Sequence, residues 1–152
     1  MTYLEKLNAK KKCCALGIGM YVIALAMIMI AVAKFMNYQA AVNFAMTNAS
    51  FILGPEATTV GNLKMVLEAI FKGIGYGLPF VELLGGLFVF LPFVRNIGVC
   101  LINLALSIYI LVNVAILVFG GLFNAVVIIA TASIVIVLLN LSMHLSDSCR
   151  RA

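Results

Sequence analysis

Leu78-Pro79-Phe80-Val81-Glu82-Leu83-Leu84-Gly85-Gly86-Leu87-Phe88-Val89-Phe90-Leu91 is an apolar run interrupted by a single carboxylate. An ionised acid near a bilayer centre costs about 2.5 to 3.5 kcal/mol on insertion scales, so such a residue faces a bundle interior, takes a partner or is protonated. Read outward, the run extends over 74–94, the roughly 20 residues needed to cross a hydrocarbon layer of about 30 Å. Three further spans of that kind lie at 13–33, 97–119 and 122–143. Backbone groups have no water to bond in lipid, so these segments are predicted helices despite their many Val and Ile residues. Arg95-Asn96 and Gly120-Gly121 leave almost no connecting chain, which makes successive spans antiparallel. The predicted fold is all-α: a polytopic membrane protein built as a four-transmembrane-helix bundle, with a short amphipathic helix in its outer loop, 34–73.

Composition supports the same class. The chain has 152 residues, 65% hydrophobic and 10% charged, with a mean hydropathy of +1.21; soluble domains carry about 25% charged residues. That length accommodates one membrane domain, 1–152, and no separate soluble core.

Basic residues orient the bundle. Lys6, Lys10, Lys11, Lys12, Arg95, Arg150 and Arg151 fall on the side of the termini, and Lys34, Lys64 and Lys72 on the other. This bias predicts that both termini are cytoplasmic or on the equivalent side, with a bacterial inner membrane as the favoured host. The net charge of +5 is read as this topology signal, with Lys10 to Lys12 available to lipid headgroups, and not as a nucleic-acid surface. Ala31-Val32-Ala33 imitates a signal-peptidase site, but the preceding apolar stretch is too long for an ordinary signal peptide and reads as the first transmembrane helix.

Within the outer loop, Val60, Leu63, Leu67, Ile70 and Phe71 recur at helical spacing, with Lys64, Glu68 and Lys72 on a separate face. Thr58 or Thr59 is placed to cap this helix and Gly73 to end it. A second short helix is expected over Asn37 to Met46, followed by a break at Gly54-Pro55. Together these elements form a cap over the outer mouth of the bundle.

Glu82 is the first candidate functional residue. Arg95 lies about 18 Å away along the same helix at roughly 1.5 Å per residue and is expected to snorkel to the inner surface. Lys34 is about 12 Å from Glu82 in depth by the same rise, so a direct pair requires tilt or an offset. Ser107, Thr131 and Ser133 fall at comparable depth and are the expected polar partners; Asn103 lies nearer the inner side, and Asn113 and Asn124 nearer the outer. Gly73, Gly75, Gly77, Gly85 and Gly86, with Gly17 and Gly19 on the first span, permit close helix approach, and Pro79 permits a bend one turn before Glu82. These features allow a cavity, with packing as the simpler use.

Other chemistry is poorly supported. Cys13, Cys14, Cys100 and Cys149 contain no C-x-x-C pair. His144 stands alone, Met27, Met29 and Met36 lack the sulfur set of a copper site, and no metal is predicted. There is no phosphate loop, no Ser-His-acid set and no paired intramembrane carboxylates. No catalytic residue is assigned, and an autonomous enzyme is disfavoured.

Ala31-Val32-Ala33-Lys34-Phe35-Met36-Asn37-Tyr38, then Leu78 to Gly86, then Arg95 and the apolar third span resemble, in order and spacing, the DoxX-like family of small four-helix membrane proteins. The resemblance covers residues 20–140, with departures at Pro92 and in the long outer loop. It implies a four-helix bundle with the loop packed on it, and roles associated with quinone-linked sulfur oxidation, membrane redox complexes or chaperoning of membrane proteins. Lys34, Glu82 and Arg95 are the positions it singles out. The resulting expectation is an accessory, anchoring or assembly subunit of a larger membrane complex, with membrane lipids and other membrane-protein subunits as partners. A quinone-interacting redox subunit is the alternative, with quinone as the cofactor. A small-solute or proton transporter comes third, lacking a clear inverted repeat.

Overall fold

A computed structural model of the chain describes residues 3–40, 42–43, 61–120 and 123–151. Among these residues lie four long helices: α1 (Tyr3–Met36), α2 (Gly61–Phe90), α3 (Arg95–Gly120) and α4 (Phe123–Arg151). Each contains a segment long and apolar enough to cross a membrane: Gly17–Met36, Ala69–Phe90, Arg95–Val118 and Asn124–Asp147. The protein is an all-α polytopic bundle of the integral membrane class.

The helices form a ring in which α1 packs on α2, α2 on α3, α3 on α4 and α4 back on α1. Cross-helix contacts give the direction of each. Gly86 lies against Ala24 and Ile28 while Lys34 meets Glu82, so α2 runs back along α1. Gly85 lies on Leu101 and Ile102 and Gly98 on Val89, reversing α3 against α2. Arg95 meets Asp147 and Asn103 meets Asn140, reversing α4 against α3. The beginning of α1 and the end of α4 therefore share one end of the bundle, the terminal end; the connection between α1 and α2 lies at the opposite, loop end.

The core is a seam of small and flexible residues. Met20, Ala24, Met27 and Ala31 form a buried stripe at helical spacing on α1, facing Val89 on α2, Ile102 and Ala105 on α3, and Ala132 and Leu139 on α4. The outward faces carry large apolar side chains such as Met29, Leu111, Val118 and Val137. In lipid these lose nothing by exposure, because the surrounding chains are as apolar as the residues themselves.

Two boundaries differ from the sequence reading. The amphipathic stretch is helical from Gly61 but is not a separate helix: α2 runs without interruption through Gly73, Gly75, Gly77 and Pro79 to Phe90. A helical glycine costs about 1 kcal/mol relative to alanine, whereas opening backbone hydrogen bonds in lipid costs several. Gly73 therefore does not end the helix. The second span also stops at Phe90 rather than at residue 94, because the residue before a proline disfavours helical backbone and Leu91 precedes Pro92. Residues 91–94 instead form a turn, with Leu91 N donating to Phe88 O at 3.1 Å and Val94 N to Leu91 O at 3.2 Å.

At the loop end, residues 38–40 and 42–43 are helical. Phe35 packs edge-on to Phe80 with ring centres 4.8 Å apart, and the Tyr38 hydroxyl donates to Tyr76 O at 3.1 Å. The start of the expected cap thus rests on the upper part of α2. Phe44 to Met46, Gly54-Pro55, Thr58 and Thr59 lie outside the described residues.

Glycine use is selective. A Cβ on Gly98 would stand 2.6 Å from Val89 N and 2.8 Å from Gly85 O, and one on Gly86 2.8 Å from Ala24 O. These two positions hold helix backbones in direct contact. Among the described residues, Gly17, Gly73 and Gly77 meet nothing where a Cβ would go, and Gly19 meets Ser142 Oγ at 3.7 Å, so these four make no close backbone approach there.

Candidate functional site: a buried Lys-Glu-Tyr cluster between two cavities

Glu82 is fully buried at the bundle interior, one turn before the Gly85-Gly86 contact. Its Oε1 accepts from Lys34 Nζ at 2.6 Å and from the Tyr109 hydroxyl. Lys34 Nζ also donates to the Tyr109 oxygen, closing a triangle among α1, α2 and α3. Lys34 retains 24% side-chain exposure and Glu82 none, so the pair is reached from the lysine side.

Lys34 and Glu82 pair directly, and the direction of their side chains supplies part of the offset that such a pair requires. Helical Cα–Cβ bonds tilt toward the helix N-terminus. In antiparallel α1 and α2 that tilt brings Lys34 down from the loop end and Glu82 up to meet it. Register narrows the gap further: with Gly86 against Ala24 and Ile28, a turn back along α2 and a turn on along α1 puts Glu82 within about a turn of Lys34.

Tyr109 was not among the sequence candidates. Tyrosine concentrates at membrane interfaces, where its hydroxyl meets water, so a tyrosine at the middle of the predicted span 97–119 was a signal of a buried hydroxyl partner. Ser107, two residues earlier, is on the exposed face of α3. Thr131 and Ser133 spend their hydroxyls on their own helix, donating to Val127 O and Ile129 O at 2.8 Å each, a back-bonding habit of short hydroxyl side chains in helices. None of the three hydrogen-bonds Glu82; Thr131 shares a cavity wall with it.

Two cavities flank the cluster. The first, about 440 Å³, lies toward the loop end between α1, α2 and α3. Its polar wall is Lys34, Asn37, Tyr109 and Asn113, and the rest is apolar, including Phe71, Ile74, Leu78, Ile108 and Val112. Gly75 and Pro79 also line it. Gly75 has no side chain to fill the space, and Pro79 has no N–H to give the Gly75 carbonyl. Asn113 is buried, and its Nδ2 donates to Tyr109 O at 2.8 Å, fixing that amide beside the cluster. The second cavity, about 420 Å³, lies between α1, α3 and α4, with Glu82, Tyr109 and Thr131 on its wall among apolar side chains. Both volumes fall in the roughly 300 to 1,000 Å³ range of small-molecule sites.

Hydrogen-bond capacity separates the two sides. An ammonium has three donors; Lys34 commits one to Glu82 and one to Tyr109, leaving one for the first cavity. Tyr109 commits its single proton to Glu82. Glu82 Oε2 is buried and has no partner among the described residues.

Arg95 does not enter this site. At the terminal end it pairs with Asp147, so it is clamped to α4 rather than only snorkelling to the surface, and its Nε is buried without a partner among the described residues. Asn103 and Asn140 exchange amide hydrogen bonds at 3.0 and 3.3 Å across α3 and α4. Cys100 is an exposed free thiol. Lys10, Lys11 and Lys12 lie on α1 and Arg150 and Arg151 at the end of α4, with side chains outside the described set. Comparison with family models, curated proteins and solved structures finds no match to this chain.

Proposed function

We propose that the protein is an accessory subunit of a larger membrane complex whose own contribution is a site for a quinone headgroup. The observation that carries this reading is the third N–H of Lys34, which no described residue accepts, at the wall of the first cavity. A quinone presents carbonyl acceptors on an apolar ring and tail. The first cavity offers an ammonium donor beside the Asn37 and Asn113 amides, with apolar walls for the rest of the molecule. Glu82 neutralises Lys34 and holds its amine in place through a 2.6 Å bond, so the donor is oriented before a ligand arrives, which lowers the cost of binding.

Electrons would come from a partner subunit carrying a redox centre; the bundle's part is to bind and orient the headgroup. The resemblance to DoxX-like proteins supports the same assignment. The distribution of basic residues supports a cytoplasmic placement of the terminal end, which puts the first cavity in the half of the bilayer away from the cytoplasm.

Purification in mild detergent followed by quantitative lipid extraction tests the reading. Wild type is expected to carry quinone near one equivalent. Ala33→Phe, which fills the first cavity from an exposed wall position, is expected to lose it while keeping wild-type helicity. Absence of quinone from wild type, or its retention by the filled variant, refutes the assignment.

A further inference from the structure

We propose that the second cavity is a separate site for a neutral amphiphile with a hydroxyl head, recognised by Glu82 Oε2. Three observations meet there. Glu82 lines this cavity, while the first cavity is walled by Lys34 on the same side of the cluster. Oε2 is fully buried and has no partner among the described residues. The carboxylate's other oxygen already accepts from Lys34 and Tyr109, which fixes the plane of the group and leaves Oε2 as the atom to satisfy.

The chemistry of the head follows from charge and donor count. A carboxylate oxygen only accepts, so the ligand must bring a proton. Lys34 and Glu82 already cancel, so an ammonium head would leave a net positive charge in an apolar interior, and an anionic head would be repelled. A neutral O–H remains. The nearby Thr131 hydroxyl is committed to Val127 O and does not compete for Oε2. The body of the ligand meets Met27, Leu106 and Val135, which suit an alkyl chain or a ring. Two sources carry this chemistry, a lipid alcohol and a hydroquinone, and both meet Oε2 through the same O–H.

The two cavities would thus sort ligands by hydrogen-bond sense: acceptors against Lys34, donors against Glu82. The second site does not depend on quinone occupying the first.

Competition binding followed by native mass spectrometry tests this with matched probes: decanol against decyl methyl ether, and a decyl-tailed hydroquinone against its dimethyl ether. A hydrogen bond to a charged group predicts that the hydroxyl form binds roughly tenfold or more tighter than its ether. That preference is expected to vanish in Ala26→Phe, which fills the second cavity, and to persist in Ala33→Phe. In Glu82→Gln the amide oxygen would turn to the Lys34 and Tyr109 donors and present N–H to the cavity, where hydroxyl and ether oxygens both accept, so the preference should be lost.

Preference for both hydroxyl probes supports a general lipid-alcohol site, and preference for the hydroquinone alone supports a redox-carrier source for the same site. Equal binding of hydroxyl and ether forms by wild type, or no binding of either, would overturn the proposal and leave Oε2 to a water molecule. Loss of the preference in Ala33→Phe with retention in Ala26→Phe would also overturn it. The wild-type comparison stands even if a filled variant does not fold.

Discussion

Among the described residues two ion pairs tie helices of this bundle together, one inside the membrane segment and one at the terminal end, and they differ in how their carboxylates are buried. Lys34 and Glu82 join α1 to α2 inside the membrane segment, with the glutamate completely removed from solvent and a tyrosine completing the cluster. Arg95 and Asp147 join α3 to α4 at the terminal end, with 13% and 30% side-chain exposure. A charge pair near water costs little to form and adds little, about 0 to 1 kcal/mol. A buried pair must overcome a desolvation cost of several kcal/mol per ion, and matched apolar residues are often more stabilising. The terminal pair reads as a clamp at the membrane surface. The inner pair is an expensive arrangement beside two cavities, which is the reason to assign it to ligand binding rather than to stability.

That contrast can be broken by substitution. Glu82→Ala leaves the partly exposed Lys34 ammonium without its counter-ion and should cost about 3 kcal/mol, the lower end of the range for a broken buried pair, seen as a fall in thermal midpoint in detergent. Adding Lys34→Met to Glu82→Met should recover much of that loss. A double variant clearly less stable than wild type would show that the pair is a net stabiliser. Gly98→Ala should cost about 1 to 3 kcal/mol, because the backbone of α2 stands where the methyl must go; Gly73→Ala, with open space around it, should be neutral or stabilising. Arg95→Ala should cost about 1 kcal/mol or less, with a salt dependence absent from the Lys34 variants. Smallest of all, Ser107→Ala should change stability by less than about 0.5 kcal/mol, since its side chain lies on the exposed face.

Much of the fold was legible in the chain because membrane helices are set by length and apolarity, and four runs of the required length stand in plain view. Boundaries were less legible where local signals competed with the lipid environment. Gly73 looked like a helix end, yet the cost of opening backbone bonds in lipid outweighs its weak propensity. Pro92, through its effect on the preceding residue, sets the end of α2.

At the site, Glu82 and Lys34 stood out because charge in an apolar run is costly. Rise per residue alone sets them about 12 Å apart in depth, and the opposed tilt of side chains on antiparallel helices supplies part of the offset that brings them together. Tyr109 does not stand out by charge, and depth alone favours Ser107, Thr131 and Ser133 as partners although none of them bonds Glu82. Which face of a helix carries a residue depends on packing angles that periodicity in a nearly uniform apolar segment does not reveal.

The central claim is that the Lys34 side of the cluster binds a carbonyl headgroup. Its most direct test is a titration of purified wild-type protein with a decyl-tailed benzoquinone and with decylbenzene, which shares the tail and ring but has no carbonyls. The account predicts that the quinone binds at least about tenfold tighter, the worth of a hydrogen bond from a charged donor, and that Ala33→Phe removes its binding. Equal affinity for the two compounds would contradict it and leave the buried pair as a structural feature of the bundle.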